Sequence, residues 1–286
     1  MIYVGLTGWG DHPDVYSPDS KKTEKLIDYS AHFPIVELDS SFYAVQPARN
    51  ITKWINETPE GFQFVVKAYQ GMTGHLRGEN PFDSRDEMFE AFRLSIRPMK
   101  EAGKLAMVLL QFPPWFDCQK DNVEQIREIT GQLQEFDLAI EFRHQSWYAP
   151  EFREKTLEFL KENNLIHTVC DEPQAGDGSV PLVAASTRSD KALLRIHGRN
   201  VHGWTNPGGG QKWREVRYLY DYNDEELREI SNAAETLQKS SDKVYVIFNN
   251  NSGGHAAGDA KQFQSMNGLE FNGLSAKQLD LFEGGF

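Results

Sequence analysis

The run KLAMVLLQF at residues 104–112 decides the fold. Its centre is apolar at every position, too short for an ordinary helix and without the alternation of a strand that has one wet face. A strand covered on both faces reads this way, and such strands belong to parallel sheets flanked by helices. Outward from it the pattern repeats. On the N-terminal side Met88, Phe89, Phe92, Ile96 and Met99 fall on one helical stripe, and on the C-terminal side Val123, Ile126, Ile129 and Leu133 do the same. Apolar and β-branched runs recur at 2–7, 35–39, 62–68, 138–142, 166–170, 193–197 and 244–248, and another helical stripe joins Leu227, Ile230, Ala234 and Leu237. Eight strands alternating with helices predict a TIM-type (β/α)8 barrel of the α/β class, a single domain over residues 1–267. A doubly wound open sheet is the alternative. Against it, Gly8, Trp9, Gly10, Asp11 and His12 after the first strand form a bulky loop without dinucleotide-binding glycine spacing. The crossover at 172–191 is rich in Gly, Ser, Pro and Ala and has no clear sixth helix.

Composition narrows the function classes. The 286 residues carry 30 Lys and Arg against 42 Asp and Glu, a net charge of −12. That is the wrong sign for coating nucleic acid through a broad basic surface, although a local cationic cleft is compatible with it. No apolar run approaches the roughly 20 residues of a membrane span. The start MIYVGLTGWGDHPD lacks a basic segment followed by an apolar one, so a cytoplasmic location with no membrane partner is expected. Cys118 and Cys170 are too few for a disulfide framework or a cysteine zinc site. The loop at 202–211, with Trp204, Pro207 and three consecutive glycines, is either a lid or an excursion with no role in binding.

In a (β/α)8 barrel the ligand site is built where strands give way to the loops that follow. Here those positions carry Asp11 and His12; Glu37 and Asp39; Lys67; Gln111; Glu141, Arg143 and His144; Asp171; Arg195, His197 and Arg199; and Asn249, Asn250 and His255. The two-residue period of a strand puts Glu37 with Asp39, Glu141 with Arg143, and Arg195 with His197 on the same side. Carboxylates there suit general acid and base work, and His197 suits a proton shuttle. The plainer reading is an ion-pair network, Glu37 with Lys67 and Glu141 with Arg143 or Arg195, that closes the barrel top. Lys67, Arg143, Arg195 and Arg199 favour an anion, phosphate or carboxylate, over a divalent cation. No cofactor is assigned. The His, Asp and Glu content admits a divalent metal, but no short ligand spacing such as HExxH supports one. Trp9, Phe42, Tyr43, Trp147 and Trp204 are candidate stacking walls.

The runs VELDSSFY (36–43), FVVKA (64–68), QFPP (111–114), EFRHQSW (141–147), RIHGR (195–199) and FNNN (248–251) resemble, in order, the YecE-like domain-of-unknown-function 72 family. The resemblance implies a TIM-type barrel from residue 2 to about residue 266 and supplies no established reaction. It maps the family's characteristic polar positions onto Glu37, Lys67, His75, Gln111, Glu141, Arg143, His144, Arg195, His197, Arg199, Asn249 and Asn250. Where the family usually has Asn and Thr around Glu37, this chain has Asp39 and Ser41.

From Gly268 the pattern breaks into a tail at 268–286. There Gln278, Leu279, Asp280, Leu281 and Phe282 look like the short extended peptide by which bacterial proteins dock on the DNA polymerase sliding clamp. Leu281 and Phe282 would fill an apolar pocket and Gln278 a polar subsite. The other reading packs Leu274, Leu281 and Phe282 as the stripe of a last helix on the barrel.

Together the anion-suited mouth and the tail predict DNA processing, a repair-associated phosphodiesterase or nuclease-like activity recruited by the clamp. Arg143, Arg195 and Arg199 would hold phosphate while Glu37, Glu141 and His197 handle protons or a metal. The enzymatic alternative is a hydrolase or isomerase of a small phosphorylated or acidic sugar, with Glu37 and Glu141 as acid and base. The non-enzymatic alternative is a clamp-tethered adaptor. A closed pocket sized for one ring favours the sugar, and an open groove lined by arginine favours DNA.

Overall fold

A computed structural model describes residues 1–16, 20–204 and 216–276. Eight parallel strands close into a barrel in sequence order: β1 (Ile2–Thr7), β2 (Ile35–Leu38), β3 (Gln63–Lys67), β4 (Leu105–Gln111), β5 (Leu138–Glu141), β6 (Ile166–Asp171), β7 (Lys191–Ile196) and β8 (Lys243–Phe248), with β8 paired back on β1. This is the TIM-type α/β barrel read from the alternation, and each strand lies within two residues of its expected bounds.

The helices form where the stripes lie. Arg85–Glu101 buries Met88, Phe89, Phe92, Ile96 and Met99, and Ser84 caps it by accepting the Glu87 N–H at 3.1 Å. Asp224–Gln238 buries Leu227, Ile230, Ala234 and Leu237, and starts from a reciprocal cap between Asn223 and Glu226. Lys120–Gln132 buries Ile126 and Ile129. Between β6 and β7 there is no helix, as the Gly- and Pro-rich composition suggested. The segment substitutes side-chain bonds for a helix: the Thr187 hydroxyl donates to the Leu165 carbonyl at 2.6 Å and accepts the His167 N–H at 2.8 Å. Val180 and Val183 are buried beneath it.

The strands separate two apolar regions. Outside, residues such as Val36, Val66, Val108, Leu110, Ile140 and Leu194 meet the helices. Inside, Ile35, Val65, Met107, Leu109, Ala139, Leu193, Tyr245 and Ile247 fill the bore. Closure at the β1–β2 seam depends on Gly5, opposite Ile35. A Cβ there would stand 2.2 Å from the Ile35 carbonyl oxygen, so only glycine lets the two backbones approach.

The barrel helices end with His255–Met266. Beyond it the chain folds under the N-terminal ends of the strands, where Phe271 stacks on Tyr3 at 6.3 Å. Ser275 donates its N–H to the Ser30 carbonyl at 3.1 Å, and the two hydroxyls lie 2.7 Å apart. No helix among the described residues is long and apolar enough to cross a membrane.

Candidate functional site

The two-residue period carries the bore from apolar to charged. Glu37 stands one inward step above Ile35, Lys67 above Val65, Gln111 above Leu109, Glu141 above Ala139 and Arg195 above Leu193. Arg143, His197 and Asn249 take the next inward step, just past their strands. Eight of the expected site residues thus gather at the C-terminal mouth.

The ionic partners differ from the plainer sequence reading in one respect. Glu37 pairs with Arg195 and not with Lys67: Arg195 Nε and Nη2 grip its two carboxylate oxygens at 2.8 and 2.6 Å. Arg195 spans the bore because its remaining nitrogen, Nη1, donates to Glu141 Oε2. Lys67 turns to Asp39 at 3.3 Å. Asp39 lies just past β2 and opens the turn Ser40–Tyr43, with its charge still acting on Glu37.

Glu141 is the hub. Its Oε1 accepts from Gln111 at 2.8 Å and from Arg143 Nη1 at 3.0 Å, with His197 Nε2 at 3.5 Å. His197 Nε2 also lies 3.2 Å from Arg143 Nη1, and its Nδ1 lies 2.9 Å from Asn249 Nδ2. Glu37, Glu141, Arg143, Arg195 and His197 are all buried.

Glu172 belongs to this cluster although the sequence reading passed over it. It directly follows the Asp171 at the exit of β6, so the signal was one residue away. Its Oε1 accepts the Val180 N–H at 2.6 Å, and its Oε2 faces Arg143 Nη1 at 3.3 Å without a hydrogen bond. Arg143 Nη2 is likewise buried with no hydrogen-bond partner among the described residues. Trp204 covers the pair, carrying the Arg143 guanidinium at 4.7 Å and that of Arg217 at 4.6 Å.

This setting separates the proton affinities of the three glutamates. Burial pushes Glu172 up to about 7 despite the charge of Arg143. Burial does the same to Glu37, up to about 7, against the pull of Arg195. Burial acts on Glu141 too, but Arg195, His197 and Arg143 together hold it well below the usual carboxylate range. Burial, with the charges of Arg143 and Arg195, lowers His197 to about 3, so its imidazole is neutral at physiological pH.

Other expected residues stand apart. His75 is at the edge, next to Phe42 at 5.2 Å and Trp115 at 5.9 Å. His144 does not join: its Nδ1 lies 2.8 Å from the Ser146 hydroxyl and caps the turn Gln145–Tyr148. Arg199 is drawn to Asp171 at 2.7 Å and Glu229 at 2.7 Å, on the rim. Asn250 donates to Asp259 at 2.5 Å and to the Tyr220 carbonyl at 3.0 Å, tying the last helix to the mouth. Trp147 is no stacking wall; it is buried against Phe142 at 4.0 Å and Phe116 at 5.9 Å. Trp9 packs edge-on against Trp54. The lid reading reaches only Val201–Trp204, a helical turn with Trp204 buried; residues 205–211 lie outside the described residues. Gln278, Leu279, Asp280, Leu281 and Phe282 also lie outside them.

Among the described residues, one group of three side chains has donor atoms close enough for a metal: Glu141, Cys170 and His197. Its chemistry fits a cation poorly. Two guanidinium groups already contact the carboxylate, and both approach the imidazole, at 3.2 and 3.5 Å.

The family model described as "Protein of unknown function DUF72" matches residues 3–280. The chain is 57% identical to the UPF0759 protein YunF of Bacillus subtilis strain 168, over 99% of this chain and 100% of that one. It is 25% identical to the UPF0759 protein YecE of Escherichia coli K12, over 55% and 54% of the two chains. Among solved structures, a DUF72 family protein of Enterococcus faecalis V583 superposes with a TM-score of 0.90 at 37% identity, covering 98% of this chain and 100% of that one. Another, from Thermotoga maritima MSB8, gives 0.78 at 34% identity, covering 94% and 100%. A charged centre inside a closed eight-stranded barrel, carried by a sequence matched almost from end to end, makes this chain a member of the DUF72 family.

Proposed function

We propose that the barrel mouth binds a small acidic metabolite, a phosphorylated or carboxylated sugar, and transforms it by proton transfer. The observation that carries this reading is a pair of buried polar atoms, Arg143 Nη2 and Glu172 Oε2, that have no hydrogen-bond partner among the described residues, Oε2 meeting only the charge of Arg143 Nη1 at 3.3 Å. Each such atom costs about 1–3 kcal/mol when left without a hydrogen bond. A ligand that offers an anionic oxygen to Arg143 and a hydroxyl to Glu172 satisfies both at once, which is the chemistry of an acidic sugar.

Glu172, with an affinity for its proton near neutrality, is the acid–base group of this reading. Glu37 stands behind Arg195 as a second group of the same affinity, Glu141 supplies fixed negative charge, and His197 a neutral hydrogen bond. Reaction along DNA demands guanidinium groups on an open groove. Arg143 and Arg195 are buried, and Arg199 is held by Asp171 and Glu229, so the geometry favours the small substrate over the phosphodiesterase reading.

The test is a panel of sugar phosphates and sugar acids followed by NMR, with wild-type protein, Glu172→Gln and Arg143→Gln. Turnover lost in Glu172→Gln with binding retained, and binding lost in Arg143→Gln, is the expected outcome. Cleavage of nicked or abasic DNA by protein that binds none of the small acids would overturn it.

A separate proposal concerns the tail: Gln278 to Phe282 docks on the bacterial sliding clamp, a reading supported by sequence alone. A labelled 273–286 peptide titrated with clamp by fluorescence anisotropy tests it. Binding must be saturable and must disappear when Leu281 and Phe282 become alanine.

A further inference from the structure

Beside the charged centre a row of rings runs outward to the surface. Lys67 Nζ lies 4.7 Å from the Phe42 ring. Phe42 meets Tyr43 at 5.3 Å and His75 at 5.2 Å, both edge to face, and His75 meets Trp115 at 5.9 Å. Arg77 approaches the Trp115 ring at 5.7 Å. The outer members are open to solvent: Tyr43 is 64% exposed and Trp115 56%. The inner end reaches the centre at Lys67, which stands one step above Val65 of the bore and pairs with Asp39 at 3.3 Å.

Local structure holds these rings in place. After the Pro113–Pro114 pair, the Phe116 N–H returns to the Pro113 carbonyl at 2.9 Å, and Phe116 stacks on Phe112 at 4.2 Å. Trp115, its neighbour, is left outside that stack. His75 is fixed by Thr73, whose hydroxyl lies 2.9 Å from Nδ1, and its N–H donates to the Gln70 carbonyl at 3.1 Å. Gln70 in turn donates its N–H to the Phe42 carbonyl at 2.9 Å, joining the β2 and β3 loops. A fixed aromatic surface binds without first having to be ordered.

We propose that this row is the subsite for a planar heteroaromatic ring attached to the acidic sugar, so that the ligand class is a mononucleotide. The inference rests on the reading of the mouth as an acidic-metabolite site. Charge selects the ring over a second sugar. A sugar stacks through weakly positive C–H groups, which need an electron-rich aromatic face, and the cations at Phe42 and Trp115 draw electron density away from those faces. An electron-rich base with a phosphate nearby is attracted by the same cations.

Calorimetric titration of the full chain with adenosine 5′-monophosphate, ribose 5-phosphate and inorganic phosphate tests this, using wild-type, Trp115→Ala and Trp115→Phe proteins. Circular dichroism verifies that each is folded. Adenosine monophosphate binds wild type about tenfold or more tightly than ribose 5-phosphate, a margin typical of one base stacked on one aromatic side chain. Trp115→Ala removes that margin and Trp115→Phe keeps most of it. Equal affinity for the two ligands in wild type, or an undiminished margin in Trp115→Ala, overturns the ring subsite and leaves the acid site standing. No binding of any of the three overturns both.

Discussion

Replacing Glu172 with glutamine isolates the electrostatics of the centre. Burial raises this carboxyl from 4.5 to about 7. Between those values the folded chain keeps a proton that the unfolded chain has released, so folding stability falls as pH rises from about 4.5 and levels off above about 7. The whole penalty is about 3 kcal/mol, an upper figure because the buried centre relaxes when it ionises. Glutamine imitates the protonated form, keeps an oxygen for the Val180 N–H and does not titrate. Near pH 5 the variant should therefore differ from wild type by a fixed amount, including whatever its weaker contact with Arg143 removes. By pH 8 it should have gained as much as about 3 kcal/mol on wild type, or roughly 6 °C in melting temperature. Burial lowers His75, His167 and His197, so they release stability on acidification, the opposite direction; both proteins contain them, and they cancel in the difference. Paired urea titrations at pH 5, 6, 7 and 8 measure this. A difference that is flat, or that moves against the variant as pH rises, would mean that Arg143 keeps Glu172 ionised throughout and would remove it as the acid–base group.

Three further outcomes follow from the packing. Arg195→Met leaves Glu37 without its fork and Glu141 without its spanning partner, both fully buried, and should lower stability in urea by about 3–5 kcal/mol; a neutral result would contradict the bridging role. Gly5→Ala drives a methyl into the Ile35 backbone and should cost about 3 kcal/mol or yield insoluble protein, so wild-type melting would show that the β1–β2 seam can open without loss. Ser84→Ala removes the cap of the long helix Arg85–Glu101 and should cost about 1 kcal/mol, visible as a drop of roughly 2 °C in melting temperature, while Ser84→Asp should restore it.

The barrel was legible because its strands are covered on both faces and its helices on one, and these two burial patterns have different periods. The site was legible to the extent that it follows the strand period: Glu141 and Arg143, or Arg195 and His197, share a face because they stand two apart. Partner choice was legible for Glu141, expected with Arg143 or Arg195 and paired with both, but not for Glu37, since that depends on which side chain reaches across the bore. Arg195 crosses it to Glu37 on β2 and Glu141 on β5, a distance no sequence spacing encodes. The period still holds for Arg143, His197 and Asn249, one or two residues past their strands, and fails for others beyond a strand end. Asp39 opens a helical turn, Arg199 swings to the rim and Asn250 locks a helix, while Glu172 returns to the centre because Val180 holds it.

The course of residues 268–276 makes the molecule a two-poled object. Phe271 and Ser275 are fastened at the end where the strands begin, and the ionic centre sits where they finish, a barrel height of about 20 Å away. The chain continues from Ala276 at the pole remote from the opening. Changes confined to the two poles should therefore sum without coupling.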